Sequence, residues 1–370
     1  MAINPTDFYD QLASHGVDFF TGVPDSLLKE FCQCIDDRIP SDKHIITANE
    51  GNAVALAAGY YLANKTLPLV YMQNSGLGNA VNPLLSLCDP EVYSIPMLVM
   101  IGWRGEPGVK DEPQHVKQGK IQLELLETMD IPYATISKDD EQFASKISNA
   151  VKIATNESRP FVLLIKKETF EKYSKEIQKV ENQRMLREEA LDIILENLDE
   201  NAVVVSTTGK TSREIFEIRE RKGQSHEQDF LTVGSMGHCS SIALGIALAK
   251  PHRKVVCIDG DGALLMHLGS LTSIASLNPK NFHHILMNNE VHESVGGQDT
   301  AAKNVDLSAI VAAVGISNIF KAETPDELKI CITDFMSAAE PAFLEVKIRP
   351  GSRKDLGRPT IKPVDNKKDF

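Results

Sequence analysis

Two stretches of this 370-residue chain hold side chains whose types and spacing suit a metal and a phosphate. The run Lys254–Asp259 is strand-like and ends in Gly260-Asp261-Gly262-Ala263, and a later apolar run ends in Asn288-Asn289, with Asn289 28 residues after Asp261. Ligands gather where parallel strands end at their carboxyl edge. Glycines at 260 and 262 allow a tight turn and close approach to a phosphate. A helix starting near Ala263 would direct free N–H groups and the positive end of its dipole at an anion. Asp261 and Asn289 offer hard oxygens of the kind Mg2+ accepts, alongside carbonyl, water and phosphate oxygens. Glu50 follows the strand-like run His44–Ala48 and opens a small-residue helix, AVALAAGYYLA. Taken alone, it also fits a carboxylate placed at a helix N-terminus by the dipole. Thr207-Thr208-Gly209-Lys210-Thr211 could cradle a diphosphate with Thr208 and its neighbours, but a plain turn fits equally well. The spacing is not that of a Walker A loop, and no GxGxxG dinucleotide fingerprint follows an early strand.

The elements that must position these residues alternate between strands and helices. Strand-like runs are Asp18–Val23, His44–Ala48, Leu69–Met72, Pro96–Ile101 and Phe161–Lys166, then Ala202–Ser206, Asp229–Val233, Lys254–Asp259, His283–Asn288 and Ala342–Ile348. Runs such as PMLVMIGW, FVLLIK and KVVCIDG carry no polar face, as expected of parallel strands covered on both sides. The expected class is α/β, with two domains that are each a mostly parallel sheet flanked by helices. The first spans 1–170 and the second 190–350, joined by a charged linker, 171–189, and followed by a basic tail, 351–370. A 42% hydrophobic and 24% charged composition fits a folded soluble protein. A net charge of -12 argues against a nucleic-acid partner. No apolar run suggests a membrane span, and six scattered cysteines fit reduced thiols in a cytoplasmic protein.

The GDG…NN pair resembles the diphosphate-binding motif of thiamine-diphosphate (ThDP) enzymes. That resemblance implies that Asp261 and Asn289 ligate Mg2+ through side chains and Val291 through its carbonyl, with Asn288 organising the turn. Gly260, Gly262, Ala263 and Thr208 would meet the diphosphate. Val233-Gly234-Ser235-Met236-Gly237 resembles the segment that holds the aminopyrimidine. Gly234 would accept from the 4′-amino group, and Met236 would wedge the cofactor into its bent shape. Glu50 would stand beside N1′ of the pyrimidine. The first domain would then bind the pyrimidine and the second the diphosphate, in a homo-oligomer with its active site between subunits.

Among compact two-domain members, the whole chain resembles the phosphonopyruvate decarboxylase family, with sulfopyruvate decarboxylases nearest. The runs carrying this are TGVPDSLLKEF (21–31), QNSGLGNAVNPLLSL (73–87), GWRGEPGVKDEPQHVKQG (102–119), NNEVHESVGGQDT (288–300) and GSRKDLGRP (351–359). The implied reaction takes 3-phosphonopyruvate to 2-phosphonoacetaldehyde and CO2 in phosphonate biosynthesis. Alternatives are a decarboxylase of sulfopyruvate or another 2-oxo acid, and a regulatory ThDP-binding subunit that does no chemistry. Substrate candidates are Asp25, Ser26, Asn74, Arg104, His115 and Arg353. Arg104 could grip the anionic end in a bidentate fork, a task open also to Lys117, Lys120, Lys354 or Arg358. His115, His238 and His292 are candidates to return a proton to the reacting carbon. Segment Glu106–Gly119 is polar, contains Gly and Pro, and reads as a loop able to close over a site.

Overall fold

Apolar runs with no polar face need cover on both sides, and in the computed structural model each becomes an inner strand of a parallel sheet. The structure describes residues 1–173 and 184–370, so residues 174–183 of the expected linker lie outside the described residues. The chain divides into two units, Met1–Gln178 with Val295–Gln298, and Lys179–Ser294 with Asp299–Phe370.

The first unit contains β1 (Phe20–Gly22), β2 (His44–Ile46), β3 (Leu69–Gln73), β4 (Met97–Gly102), β5 (Tyr133–Ile136) and β6 (Pro160–Ile165), ordered β2-β1-β3-β4-β6-β5. The second contains β7 (Val203–Ser206), β8 (Asp229–Leu231), β9 (Val255–Gly260), β10 (Phe282–Asn288), β11 (Asn318–Ala322) and β12 (Ala342–Lys347), ordered β11-β12-β10-β9-β7-β8. Read from the other edge, the second order is the first one repeated. All pairings within these two sheets are parallel.

Each sheet separates two apolar layers, because successive side chains point to opposite faces. In the first unit, Leu69, Tyr71, Leu98 and Met100 face one layer, and Val70, Met72, Val99 and Ile101 the other. In the second, Val256, Ile258 and Ile285 face one layer, and Val255, Cys257 and Leu286 the other. In both sheets the strand order reverses beside the first strand: between β1 and β3, and between β7 and β9. Such switch points open a crevice at the carboxyl ends of the strands.

Two strands have no counterpart among the expected runs, β5 and β11, and both lie at sheet edges. The segment 106–119 also differs from the expected loop. Pro113 occupies the first turn of a helix, Pro113–Thr128, so His115 and Gly119 are helical. Proline there has its φ already set and no N–H to leave unsatisfied. The Trp103 indole N–H donates to the Gly119 carbonyl at 2.9 Å and ties that helix to the end of β4.

Candidate functional site

In the first unit the candidate residues gather at the carboxyl ends of β1 to β4. Glu50 is the first residue of the helix Glu50–Asn64, whose N-cap Asn49 accepts from the Asn52 N–H. The Glu50 side chain is buried at 4% exposure. Its Oε2 accepts from Asn79 Nδ2 at 2.8 Å. Its Oε1 lies so close to Gly76 that a Cβ there would stand 2.2 Å away. Only glycine leaves room for this carboxylate. Gly76→Ala is therefore expected to displace Glu50 and to lower turnover about tenfold or more while the protein stays folded. Steady-state kinetics beside a thermal melt tests this, and wild-type kcat would show that the contact is not needed.

At the switch point, Asp25 follows β1 and Gln73 ends β3. Gln73 Nε2 donates to Asp25 Oδ1 at 2.6 Å, and the Leu27 N–H donates to Oδ2 at 3.0 Å. Burial raises the Asp25 carboxyl above its ordinary range, and the Gln73 bond works against that rise. Arg104 follows β4. Its backbone exchanges hydrogen bonds with the Asn74 side chain at 2.9 and 3.1 Å. Its guanidinium donates to Ser26 Oγ at 2.9 Å and grips Asp111 through two nitrogens at 2.8 and 2.5 Å. Burial alone would raise the Asp111 carboxyl, but the Arg104 bond and the Gly105 N–H hold it below the carboxylate range. His115 is buried, its Nδ1 lacks a hydrogen-bond partner, and burial together with Arg104 pulls its pKa down to about 4. At neutral pH it is an uncharged imidazole. The sequence therefore named Ser26, Asn74 and Arg104, which hydrogen bonds link directly, and Asp25 at the neighbouring switch point, but missed Gln73, which orients Asp25, and Asp111, which orients Arg104.

In the second unit the candidates again line the carboxyl edge. Thr207 and Thr208 follow β7, Gly234 to Gly237 follow β8, Asp261 follows β9, and Asn289 follows β10. Asp261 is 4% exposed. Burial pushes its pKa up to about 6, against the pull of the Thr300 hydroxyl, which donates to Oδ2 at 2.5 Å. No ion pair to Asp261 occurs among the described residues. Asn289 Nδ2 donates to Glu293 Oε2 at 3.2 Å, and Oδ1 accepts from the Val291 N–H at 3.2 Å. These bonds fix which side-chain atom of Asn289 is the oxygen. Burial would raise Glu293, but Arg187 at 3.0 Å and Lys210 at 2.6 Å hold it ionised below the ordinary range.

The Ser235–Gly237 turn packs on the helix after β9. A Cβ on Gly262 would stand 3.6 Å from the Met236 terminal methyl and 3.1 Å from the His292 ring, so Met236, His292 and the GDG turn are neighbours. Burial pulls His292 down to about 4. His238 lies 4.4 Å from His267, ring to ring. Arg353 is placed differently. Its guanidinium is engaged by Glu188 and Glu217 on the helices Arg187–Glu196 and Arg213-bearing Lys210–Lys222, and by Asp355 at 3.3 Å.

A buried carboxylate without a cation at the end of one strand, and an oriented amide oxygen at the end of the neighbouring strand, are hard-oxygen donors of the kind Mg2+ takes. The residues present therefore fit that ion. Sequence reasoning missed Thr300 and Asn79 as partners of these carboxylates, although both fall inside runs named above, because 39 and 29 residues of separation obey no spacing rule.

Comparison with known proteins adds descent to this geometry. Residues 6–126 match the family described as "Thiamine pyrophosphate enzyme, N-terminal TPP binding domain", and residues 207–346 match "Thiamine pyrophosphate enzyme, C-terminal TPP binding domain". The chain is 35% identical to a phosphonopyruvate decarboxylase of Streptomyces viridochromogenes, over 98% of this chain and 93% of that protein. A phosphonopyruvate decarboxylase of Streptomyces hygroscopicus is also 35% identical, over 98% and 91%. A sulfopyruvate decarboxylase of Methanosarcina acetivorans is 28% identical, over 95% and 92%.

Proposed function

Since the chain belongs to the thiamine pyrophosphate enzyme family, as a decarboxylase, we propose that its reaction is 3-phosphonopyruvate to 2-phosphonoacetaldehyde and CO2, with ThDP and Mg2+, in phosphonate biosynthesis. The observation that carries the cofactor reading is the buried Asp261 carboxylate and the oriented oxygen of Asn289 at the carboxyl ends of the neighbouring strands β9 and β10. What supports the substrate is the 35% identity, over nearly the whole chain, to two proteins named for it.

Asp261 and Asn289 would hold Mg2+ through side-chain oxygens, and Val291 through its carbonyl. Gly260, Gly262, Ala263 and Thr208 would receive the diphosphate at the switch point. Bound ThDP supplies an electron sink for the pair released with CO2. Glu50 would hold the proton exchanged with the pyrimidine N1′ of bound ThDP. The Gly234 carbonyl would accept from the 4′-amino group, and Met236 would prop the cofactor from its apolar side. The pyrimidine would be held by the first domain, 1–170, and the diphosphate by the second, 190–350. Glu50 and Asp261 would serve one site from different copies of the chain, in a homo-oligomer.

For the substrate, Arg104 meets the anionic end together with Ser26, while Asp25 and Asn74 set the edge on which Arg104 stands. His115, uncharged at neutral pH, offers a hydrogen bond without a second charge. Arg104→Met is expected to raise KM for phosphonopyruvate about 10- to 100-fold, the worth of a charge-assisted bond, with a smaller effect on kcat. A loss confined to kcat would remove Arg104 from the binding role.

The direct test is decarboxylation of 3-phosphonopyruvate, sulfopyruvate and pyruvate with ThDP and Mg2+. The expected kcat/KM for phosphonopyruvate exceeds that for each of the others by about 100-fold or more. A preference for sulfopyruvate would reassign the anion pocket. Absence of turnover on all three, with ThDP bound, would favour a regulatory subunit.

A further inference from the structure

The core of the second unit contains a polar cluster that the proposed chemistry does not use. In the parallel register of β9 and β10, Cys257 lies opposite His284. Asp259 is two residues along β9, so it points to the same face. A thiol sulfur, a carboxylate oxygen and a ring nitrogen of these three residues all lie within 4.8 Å of one another. Cys239, the first residue of the helix Cys239–Ala249, places its Sγ 3.5 Å from Cys257 Sγ. Cys257 and Asp259 are 0% exposed, His284 1% and Cys239 2%. The surroundings are Val205, Leu286, Phe343 and other apolar side chains.

Buried polar atoms are nearly always satisfied, so each exception asks for an explanation. Here Asp259 Oδ2 and both ring nitrogens of His284 lack hydrogen-bond partners. Nε2 of His284 stands 3.7 Å from Asp259 Oδ2, too far for a hydrogen bond. One ring nitrogen of His284 faces Asp259 Oδ2 at 3.7 Å beside the Cys257 thiol, a spacing that a bridging cation would fill.

We propose that Cys257, Asp259 and His284, with Cys239 as a fourth donor, form a structural site for a borderline-soft divalent metal such as Zn2+. Sulfur and imidazole donors suit such an ion and do not suit Mg2+, which wants oxygen. Two thiolates, one carboxylate and a neutral imidazole against a divalent ion leave a net charge of about −1, the same as in a zinc site of three cysteines and one histidine. Small side-chain rotations bring donors at this spacing to the bond lengths of about 2.0–2.3 Å that zinc takes.

The position gives the site a role. Asp259 is two residues before Asp261 on one chain segment, and His284 is five before Asn289 on the next. Cys239 directly follows the turn that carries Gly234 and Met236. A metal here would cross-link the three segments whose ends carry the candidate cofactor contacts. The inference is independent of the substrate.

The test uses the purified full-length protein, grown with zinc and dialysed against Mg2+ buffer without strong chelator. Elemental analysis is expected to find about one zinc per chain, retained when Mg2+ is exchanged. Replacement by Co2+ is expected to give a thiolate-to-cobalt charge-transfer band and intense tetrahedral d–d bands. Cys257→Ser should lose the charge-transfer band or weaken it severalfold, and a zinc chelator should lower the melting temperature of the wild type only. If Cys257→Ser does not fold, the cobalt spectrum of the wild type decides. Zinc and cobalt contents below about a tenth per chain after supplementation, with no charge-transfer band, would overturn the proposal.

Discussion

Glu50→Gln is expected to lower kcat by about 100- to 10,000-fold, the range for removing a positioned acid–base group, while ThDP affinity changes by less than about tenfold, since no ion pair to the cofactor is lost. The change keeps shape and burial and removes only the ability to exchange a proton. The glutamine can still accept from Asn79 Nδ2, which meets Oε2 at 2.8 Å, and its amide occupies the space left by Gly76. The fold and the site walls therefore persist, and the effect is on chemistry alone. Calorimetry with ThDP and Mg2+, paired with single-turnover decarboxylation, separates the two. Wild-type turnover in the variant would withdraw Glu50 from proton exchange. Loss of ThDP binding without a melt shift would give it a binding role instead.

The same residues show how far the sequence alone reaches. Inner strands were readable because burial on both faces demands unbroken apolar runs, as in β4 and β6, where every residue is buried. The strands β5 and β11 were not, because they sit at edges and are half exposed: three of four residues of Tyr133–Ile136 and four of five of Asn318–Ala322 are at least partly accessible. The edge strands β2 and β8 were still read, because the apolar runs His44–Ala48 and Asp229–Val233 carry them. Glu50, Asp261 and Asn289 could be named because each closes a strand-like run within a short motif. Their partners could not, because Asn79, Gly76 and Thr300 reach them only through the fold. Pro113 was visible, yet reading it as a loop residue hid the helix it starts. Arg104 was legible as a cation, but its two-point grip by Asp111, seven residues on, follows from the turn after β4 and has no spacing rule.

Asp261→Ala is expected to remove Mg2+-dependent ThDP binding, with affinity lower by more than the about 10- to 100-fold that losing an outer partner of a metal ligand costs. Its carboxylate is buried, lacks an ion pair among the described residues, and has its pKa pushed to about 6 by burial. A raised carboxyl pKa means the folded metal-free protein holds a proton that the unfolded chain has given up between about pH 4 and 6. The ionised group thus costs the apo protein stability as pH rises through that window, and the metal offsets the cost. Two consequences follow. The metal-free Asp261→Ala protein should melt no lower than the metal-free wild type at pH 7. In the wild type, apparent Mg2+ affinity should fall about tenfold per unit as pH drops below 6, because the ion must displace the Asp261 proton. Added ThDP and Mg2+ should raise the wild-type melting temperature by linkage and leave that of the variant unmoved. Equal ligand-induced shifts in both proteins would mean that the cation is held elsewhere, and with it the diphosphate.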